Sequence, residues 1–329
     1  MEKEFLSLIQ KEFPVVQRPF KELAKRLNSN EEEVLKLYKK LKDDKIIRQT
    51  SAIFDTKSLG YKSSLVAFKA ENIENCAEFI NTHPGVSHNY ERDNPFNLWF
   101  TIAVPPDSKL GLEKTVQVLA KNSNVREYII LPTIKMFKIS VQLDVSGKKA
   151  KKEKVKNSKK IKIELEPIHF ELIKYLQEDI KPTKEPFKEV VETLDIDYTT
   201  LQKETKRLQD GGYLRRFASI LYHRRAGFLA NAMVVWRVDE KIAQDVGQKI
   251  AEYSAVSHCY LRPTYPSWPY PLFSMIHGRS KDEVENIVSE ISKEIGIDEY
   301  HYLYSTREFK KQRIKYFSPK FALWERKYG

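Results

Sequence analysis

The chain has 329 residues, 41% of them hydrophobic and 12% aromatic, which is enough for two or more domains with buried cores. No run of about 18 apolar residues occurs, so no membrane-spanning helix is expected; the charged start Met1-Glu2-Lys3-Glu4-Phe5 argues against a signal peptide, and the two cysteines, Cys76 and Cys259, suggest neither a disulfide framework nor a zinc site. The net charge of +12 is mostly local, because residues 148–162 carry nine lysines against Glu153, a net +8, and leave only about +4 for the rest.

Leu6, Ile9 and Phe13, then Phe20, Leu23, Ala24 and Leu27, recur at helical spacing. Ser29-Asn30-Glu31-Glu32 is a capping-box sequence ahead of Val34, Leu37, Tyr38 and Leu41, which predicts a third helix. Three short helices followed by Ile46-Ile47-Arg48 and a β-like stretch predict a winged helix-turn-helix over residues 1–60. In residues 61–145 the pattern predicts a strand at 63–69, a helix at 73–82, strands at 86–92 and 97–104, a helix at 110–120 and a strand at 126–139. That β-α-β-β-α-β order is ferredoxin-like. The lysine-rich residues 146–162 are read as a solvated linker, with a phosphate-binding arm as the alternative.

The pattern then starts again. Helices at 168–176, 187–194 and 198–208 predict a second winged helix-turn-helix over 163–226, and a second ferredoxin-like domain with a C-terminal extension fills 227–329. Phe20-Lys21-Glu22-Leu23 aligns with Phe187-Lys188-Glu189-Val190, and the same offset of 167 aligns Arg48 with Arg215 and Gly60 with Gly227. The fold class is α+β, a tandem duplication of a winged helix-turn-helix plus ferredoxin-like domain. The two halves are expected to pair inside the chain as a pseudo-dimer, from which a homo-oligomer could be built.

One motif occurs in both halves. Ser87-His88-Asn89-Tyr90-Glu91-Arg92 returns as Ser257-His258-Cys259-Tyr260-Leu261-Arg262, with the histidines 170 residues apart. Strand side chains alternate between faces, so His, Tyr and Arg project together. An acid/base, a phenol and a guanidinium on one face can orient and protonate an anionic substrate. The plain alternative is a strand with a polar outer face. Cys259 and Leu261 suit a helix-covered side, which places His258, Tyr260 and Arg262 on the open side of the sheet; Ser87, Asn89 and Glu91 say less about the first copy.

These segments, with His83-Pro84-Gly85-Val86 and Pro95-Phe96-Asn97-Leu98-Trp99-Phe100 in the first half, carry a resemblance. So do Leu214-Arg215-Arg216-Phe217, His223-Arg224-Arg225-Ala226-Gly227-Phe228 and Trp268-Pro269-Tyr270-Pro271-Leu272-Phe273 in the second. The arrangement resembles the Lrp/AsnC superfamily and, more closely, its siroheme decarboxylases of alternative heme and heme d1 biosynthesis, in their fused two-subunit form. The resemblance implies a cytoplasmic carbon-carbon lyase (a carboxy-lyase) converting siroheme to 12,18-didecarboxysiroheme by non-oxidative loss of CO2 from two acetates. No cofactor is implied beyond the iron carried by the substrate.

Siroheme carries eight carboxylates, which planar guanidinium forks suit. Arg48, Arg92, Arg215, Arg216, Arg224 and Arg262 are therefore the candidate substrate-binding cations, with His223, His277 and Trp268. His258 with Tyr260, and His88 with Tyr90, are the candidate catalytic residues. His258 is assigned as proton donor or as axial ligand to the substrate iron. The second copy, with more arginines, His277 and a Pro/aromatic insertion around it, is read as the working one. His83, His169 and His301 are read as structural. Rival readings are a DNA-binding regulator and a non-catalytic heme or siroheme sensor. Glu31-Glu32-Glu33 at the start of the third helix would face phosphates, so DNA is not the expected partner.

Overall fold

The computed structural model describes residues 1–139, 163–222 and 230–329. The expected linker, 146–162, and the candidates His223 and Arg224 lie outside the described residues. The first repeat contains α1 (Glu2–Lys11), α2 (Pro19–Arg26), α3 (Glu31–Asp43), β1 (Ile47–Phe54), β2 (Lys62–Phe68), α4 (Ile73–Thr82), β3 (Val86–Arg92), β4 (Leu98–Val104), α5 (Gly111–Asn122), β5 (Tyr128–Pro132) and β6 (Lys135–Ile139). The second contains α6 (Pro167–Leu176), α7 (Lys188–Thr193), α8 (Tyr198–Asp210), β7 (Leu214–Leu221), β8 (Ala230–Trp236), α9 (Ala243–Glu252), β9 (Val256–Leu261), β10 (Leu272–Gly278), α10 (Lys281–Ile295), β11 (Tyr300–Leu303), β12 (Ser305–Lys311) and α11 (Lys320–Tyr328). These elements form two units: residues 1–61, 163–222 and 315–318, and residues 62–139, 230–314 and 319–329.

The first unit holds both helix-turn-helix copies. The cap of α3 falls on Asn30, one residue later than its capping-box sequence predicts. Asn28 ends α2 with a left-handed φ of 50°, Ser29 N still bonds to Ala24 O, and Asn30 Oδ1 accepts from Glu33 N at 2.9 Å. β1 is followed by no strand of its own repeat to pair with. It pairs antiparallel with β7, with Thr50 opposite Ser219 and Ser51 opposite Ala218. At the middle of that ribbon the buried Tyr38 hydroxyl donates to Thr50 Oγ1 at 2.9 Å, and Thr50 Oγ1 meets Ser219 Oγ at 2.6 Å. The duplicated wing strands thus satisfy each other's backbone groups.

The second unit holds two five-stranded antiparallel sheets, in the orders β12-β3-β4-β2-β5 and β11-β8-β10-β9-β6. Four strands of each keep the ferredoxin-like order, and the fifth comes from the other repeat. The single strand expected at 126–139 is two strands: β5 stays in its own sheet, and β6 crosses to pair with β9. The break follows Pro132, whose missing N–H stops the ladder. β12 makes the reciprocal crossing to β3.

Helices α4 and α5 cover one face of the first sheet around Val66, Phe100 and Val116, and α9 and α10 cover the second around Trp236, Ile250 and Val288. The opposite faces are not open at their centre. Ala67, Trp99, Ile129 and Leu131 pack with Val235, Trp268, Phe273 and Leu303, and the Trp99 and Trp268 rings lie 5.1 Å apart. Helix α11 completes the first sheet's core, with Trp324 Nε1 bonded to Thr82 Oγ1 at 3.0 Å and its ring 4.6 Å from that of His83.

Burial pushes the His83 imidazole down to about 3, with a smaller push from Lys310, so its neutral Nδ1 accepts from Gly85 N at 3.0 Å. As pH falls below about 6.5 the unfolded chain takes up a proton that the folded state refuses until about pH 3. Stability is therefore lost on acidification through that window. Urea unfolding should show a pH slope steeper for the wild type than for His83→Gln, by up to about 1.4 kcal/mol per pH unit. Parallel slopes would remove His83 from the account.

Candidate active site

The Ser-His-x-Tyr-x-Arg strand of the second repeat is β9 and the residue that follows it. A bulge at Ser257, where His258 pairs with Met275 but Val256 with Ile276, resets the alternation. Cys259 is then fully buried under α9, and Leu261 packs on the same side. His258, Tyr260 and Arg262 project to the other side, with Phe273, Met275 and His277 of β10. The Ser257 hydroxyl lies 2.8 Å from His258 Nδ1 and 2.7 Å from His277 Nε2, bridging two histidines. The His258 and Tyr260 rings are 6.0 Å apart, and the Arg262 guanidinium sits 4.9 Å from the Tyr260 ring centroid.

The first repeat builds the same frame with different partners. The bulge recurs at Ser87, and Asn89 turns under α4 to bond Ala77 O and Asn81 Oδ1. His88, Tyr90 and Arg92 therefore share the side facing the other sheet. Ser87 Oγ lies 3.0 Å from His88 Nδ1, but its second partner is Thr101 Oγ1 at 2.7 Å. Strand pairing places Ala103 where the second repeat has His277. In the second copy the motif serine thus meets a second histidine, His277.

Comparison with known proteins accords with this architecture. The family model for the AsnC-like ligand binding domain matches residues 58–138 and 225–310, and that for the siroheme decarboxylase NirDL-like HTH domain matches residues 2–48. A siroheme decarboxylase of Hydrogenobacter thermophilus is 41% identical over 98% of this chain and 96% of its own length. The chain belongs to the siroheme decarboxylase family. A siroheme decarboxylase beta subunit of Methanosarcina barkeri is also 41% identical, over 44% of this chain and 95% of its own length, in keeping with a fusion of two subunit-sized repeats. The crystal structure of a siroheme decarboxylase, NirDL, in co-complex with an iron-uroporphyrin III analogue superposes with a TM-score of 0.79 at 35% identity, covering 99% of this chain and 98% of that one.

Within this family member the arginines of the two motifs are held between the sheets. Arg262 Nη1 donates to the carbonyl of Leu131 in β5, and Arg92 Nη1 to that of Leu303 in β11. Burial pushes each guanidinium down to about 10, so both remain cationic at neutral pH. Each Nε is buried without a hydrogen-bond partner, as is Trp268 Nε1. The Pro/aromatic insertion sends Trp268, a candidate substrate contact in the sequence, into the inter-sheet core, where it is 3% exposed, and the Tyr265 hydroxyl donates to Ile130 O at 2.6 Å.

Arg48, Arg215 and Arg216 lie in the first unit, on the β1–β7 ribbon. Arg215 holds Asp55 through Nη2 at 2.8 Å and Nε at 3.1 Å. Burial would raise the Asp55 carboxyl, but the Ser58 amide and Arg215 together hold it below its usual range. Burial, then the adjacent Arg215, lower the half-buried Arg216. His169 is an internal fastener that accepts from Glu166 N at 2.8 Å and meets Glu204 at 3.0 Å. Among the described residues no group of three or more His, Cys, Asp or Glu could hold a metal ion, and no helix is long and apolar enough to cross a membrane.

Two neighbours of the second motif escaped the sequence reading. Met136 and Ile139 on the crossing strand β6 pair with Tyr260 and His258. A signal is present, since Lys135-Met136-Phe137-Lys138-Ile139 aligns with Arg307-Glu308-Phe309-Lys310-Lys311, but a local pattern does not say that either segment crosses to the other repeat's sheet.

Because Lys cannot reproduce the planar guanidinium fork, Arg262→Lys should leave the Leu131 carbonyl poorly satisfied and cost about 1–3 kcal/mol. Urea midpoints at pH 7 measure this. A lysine variant as stable as the wild type would show that the Leu131 contact contributes nothing.

Proposed function

We propose that this chain removes CO2 from the acetate side chains at C12 and C18 of siroheme, giving 12,18-didecarboxysiroheme, and that it does so at the second copy of the motif. The observation that carries the choice of copy is the Ser257 hydroxyl held between His258 Nδ1 and His277 Nε2. A tetrapyrrole ligand is supported by the similar structure holding an iron-uroporphyrin III analogue. In each round the bond between the carboxylate carbon and the methylene carbon breaks. CO2 leaves, and the electron pair stays on the methylene carbon, spread into the macrocycle. A proton then turns the former acetate into a methyl group. Electrons are neither gained nor lost, so the reading calls for no oxidant and no organic cofactor.

His258 supplies the proton in this reading, histidine being suited to transfer near neutral pH. The Ser257 bridge lets the histidine pair deliver one proton: as it leaves His258 Nε2, Ser257 Oγ returns one to His258 Nδ1 and His277 Nε2 returns one to Ser257 Oγ, the pair starting with His277 as the imidazolium and ending with both rings neutral. A single ring nitrogen cannot both give a proton and ligate iron. The proton is the assignment made here. Tyr260 is the orienting hydroxyl, and Tyr90 with His88 its counterpart in a copy without the second histidine. The candidate carboxylate-binding arginines Arg48, Arg215 and Arg216, and Arg224 with His223, rest on guanidinium and imidazole chemistry alone. A DNA-binding reading finds little support at α3, whose first turn is Glu31, Glu32 and Glu33, with Glu31 engaged by Arg18 and Glu32 by Lys184.

Anaerobic incubation with siroheme, followed by mass analysis, should show loss of two CO2 units. His258→Ala should slow that loss by about 10²–10⁴-fold while siroheme still binds, and His88→Ala should cost far less. Siroheme bound at unchanged mass by the wild type would refute the enzyme in favour of a carrier or sensor. Equal losses for the two variants would refute the choice of copy.

A further inference from the structure

The reciprocal crossing of β6 and β12 gives the two motif copies different neighbours. The crossing segments align one to one, Lys135 with Arg307, Met136 with Glu308, Phe137 with Phe309, Lys138 with Lys310 and Ile139 with Lys311. On the helix side the two agree in kind. Lys135 and Lys138 bond to Gln244 and to Tyr253 O around α9, and Phe137 enters the second core. Arg307 reaches Glu74 and Glu91, Lys310 bonds to Asn81 O, and Phe309 packs on the first core. The change of character is confined to the other side. Met136 stands opposite Tyr260 and Ile139 opposite His258, whereas Glu308 stands opposite Tyr90 and Lys311 opposite His88.

Directly paired residues of an antiparallel sheet share a face, with Cβ atoms about 4.5–5.5 Å apart. His258 and Tyr260 are thus flanked by two large apolar side chains that remain 46% and 39% exposed. An anionic tetrapyrrole has flat apolar faces and a charged rim, so it needs an apolar support beside the groups that handle its side chains. Methionine and isoleucine meet that need, methionine being polarisable and able to adapt to a ring. A glutamate and a lysine in the same places would have to lose water beneath the ring, and the glutamate would repel the carboxylates.

We infer that Met136 and Ile139, carried across from the first repeat, are the substrate-ring contacts that make the second motif copy the binding copy, and that Glu308 and Lys311 keep the ring from the first. This rests on the siroheme reading above and names residues that determine where that substrate binds. The strand exchange makes one repeat supply the catalytic histidine and the other the surface beneath the macrocycle.

The test uses the full chain and two double variants, M136E/I139K and E308M/K311I, titrated with iron-uroporphyrin by its Soret band and assayed with siroheme. The wild type should bind one equivalent. M136E/I139K should raise the iron-uroporphyrin Kd and the siroheme KM by about tenfold or more, with kcat changed far less. That split separates a ring contact from His258→Ala, which should lower kcat and keep Kd. Unchanged circular dichroism and Tm guard against misfolding, the substituted sites being exposed at the sheet edge. E308M/K311I should take up a second equivalent. An unchanged Kd for M136E/I139K overturns the ring contact; a wild type binding two equivalents, or E308M/K311I still binding one, overturns the exclusion from the first copy. A wild type that binds iron-uroporphyrin but leaves siroheme intact overturns the decarboxylase reading instead, and the Kd comparison still decides the ring contact.

Discussion

Each ferredoxin-like sheet of this protein ends at the strand that carries its Ser-His-x-Tyr-x-Arg motif, and an edge strand leaves a row of unpaired N–H and C=O groups. The other repeat satisfies that row. β6 closes the second sheet against β9 and β12 closes the first against β3, so neither motif strand remains an edge. Arg262 and Arg92 fasten the same exchange from within, each spending a buried guanidinium on a carbonyl close to the point where the opposite chain segment changes sheets. A buried charge is costly unless bonded, and here it orders three things at once: the Tyr ring it lies near, the facing sheet and the crossing strand.

Within that shared frame the two motif strands differ in the side chains that surround them. Both have the bulge that turns the serine hydroxyl toward the histidine, and both bury the residue after the histidine under a helix. The second serine meets another histidine, the first a threonine. The second motif has methionine and isoleucine alongside, the first glutamate and lysine. A fused pair can relax one copy without loss of fold, because the backbone pairing that defines the frame is indifferent to which side chain lies on the outer face.

Much of this was legible in the linear pattern. α4 and β3 begin and end at the residues expected, since strict periodicity of apolar residues and the Pro84-Gly85 turn leave little freedom there. The duplication, the β-α-β-β-α-β order and the side of β9 on which His258 projects were likewise readable. The cap of α3 was misplaced by one residue, because the left-handed turn at Asn28 is set by backbone geometry that several residues could adopt. The two-strand nature of 126–139 was missed because both pieces have strand character and the decisive signal, Pro132, is a single residue. The openness of the sheet faces was misjudged because apolar residues such as Trp99 and Phe273 reveal that they are buried but not what buries them.

The sequence by itself determined the elements, their duplication, the family and the identity of the polar trio, because local periodicity and short-range motif spacing encode all of these. Tertiary structure alone decided which repeat's strand lies beside which motif, that both motif arginines are committed to backbone carbonyls, and that Ser257 joins His258 to His277. These are contacts between residues far apart in the chain, 131 positions for Arg262 and Leu131 and 211 for Arg92 and Leu303. No local preference specifies them. They follow from the closure of two sheets on each other, where each unpaired edge finds its complement in the other half.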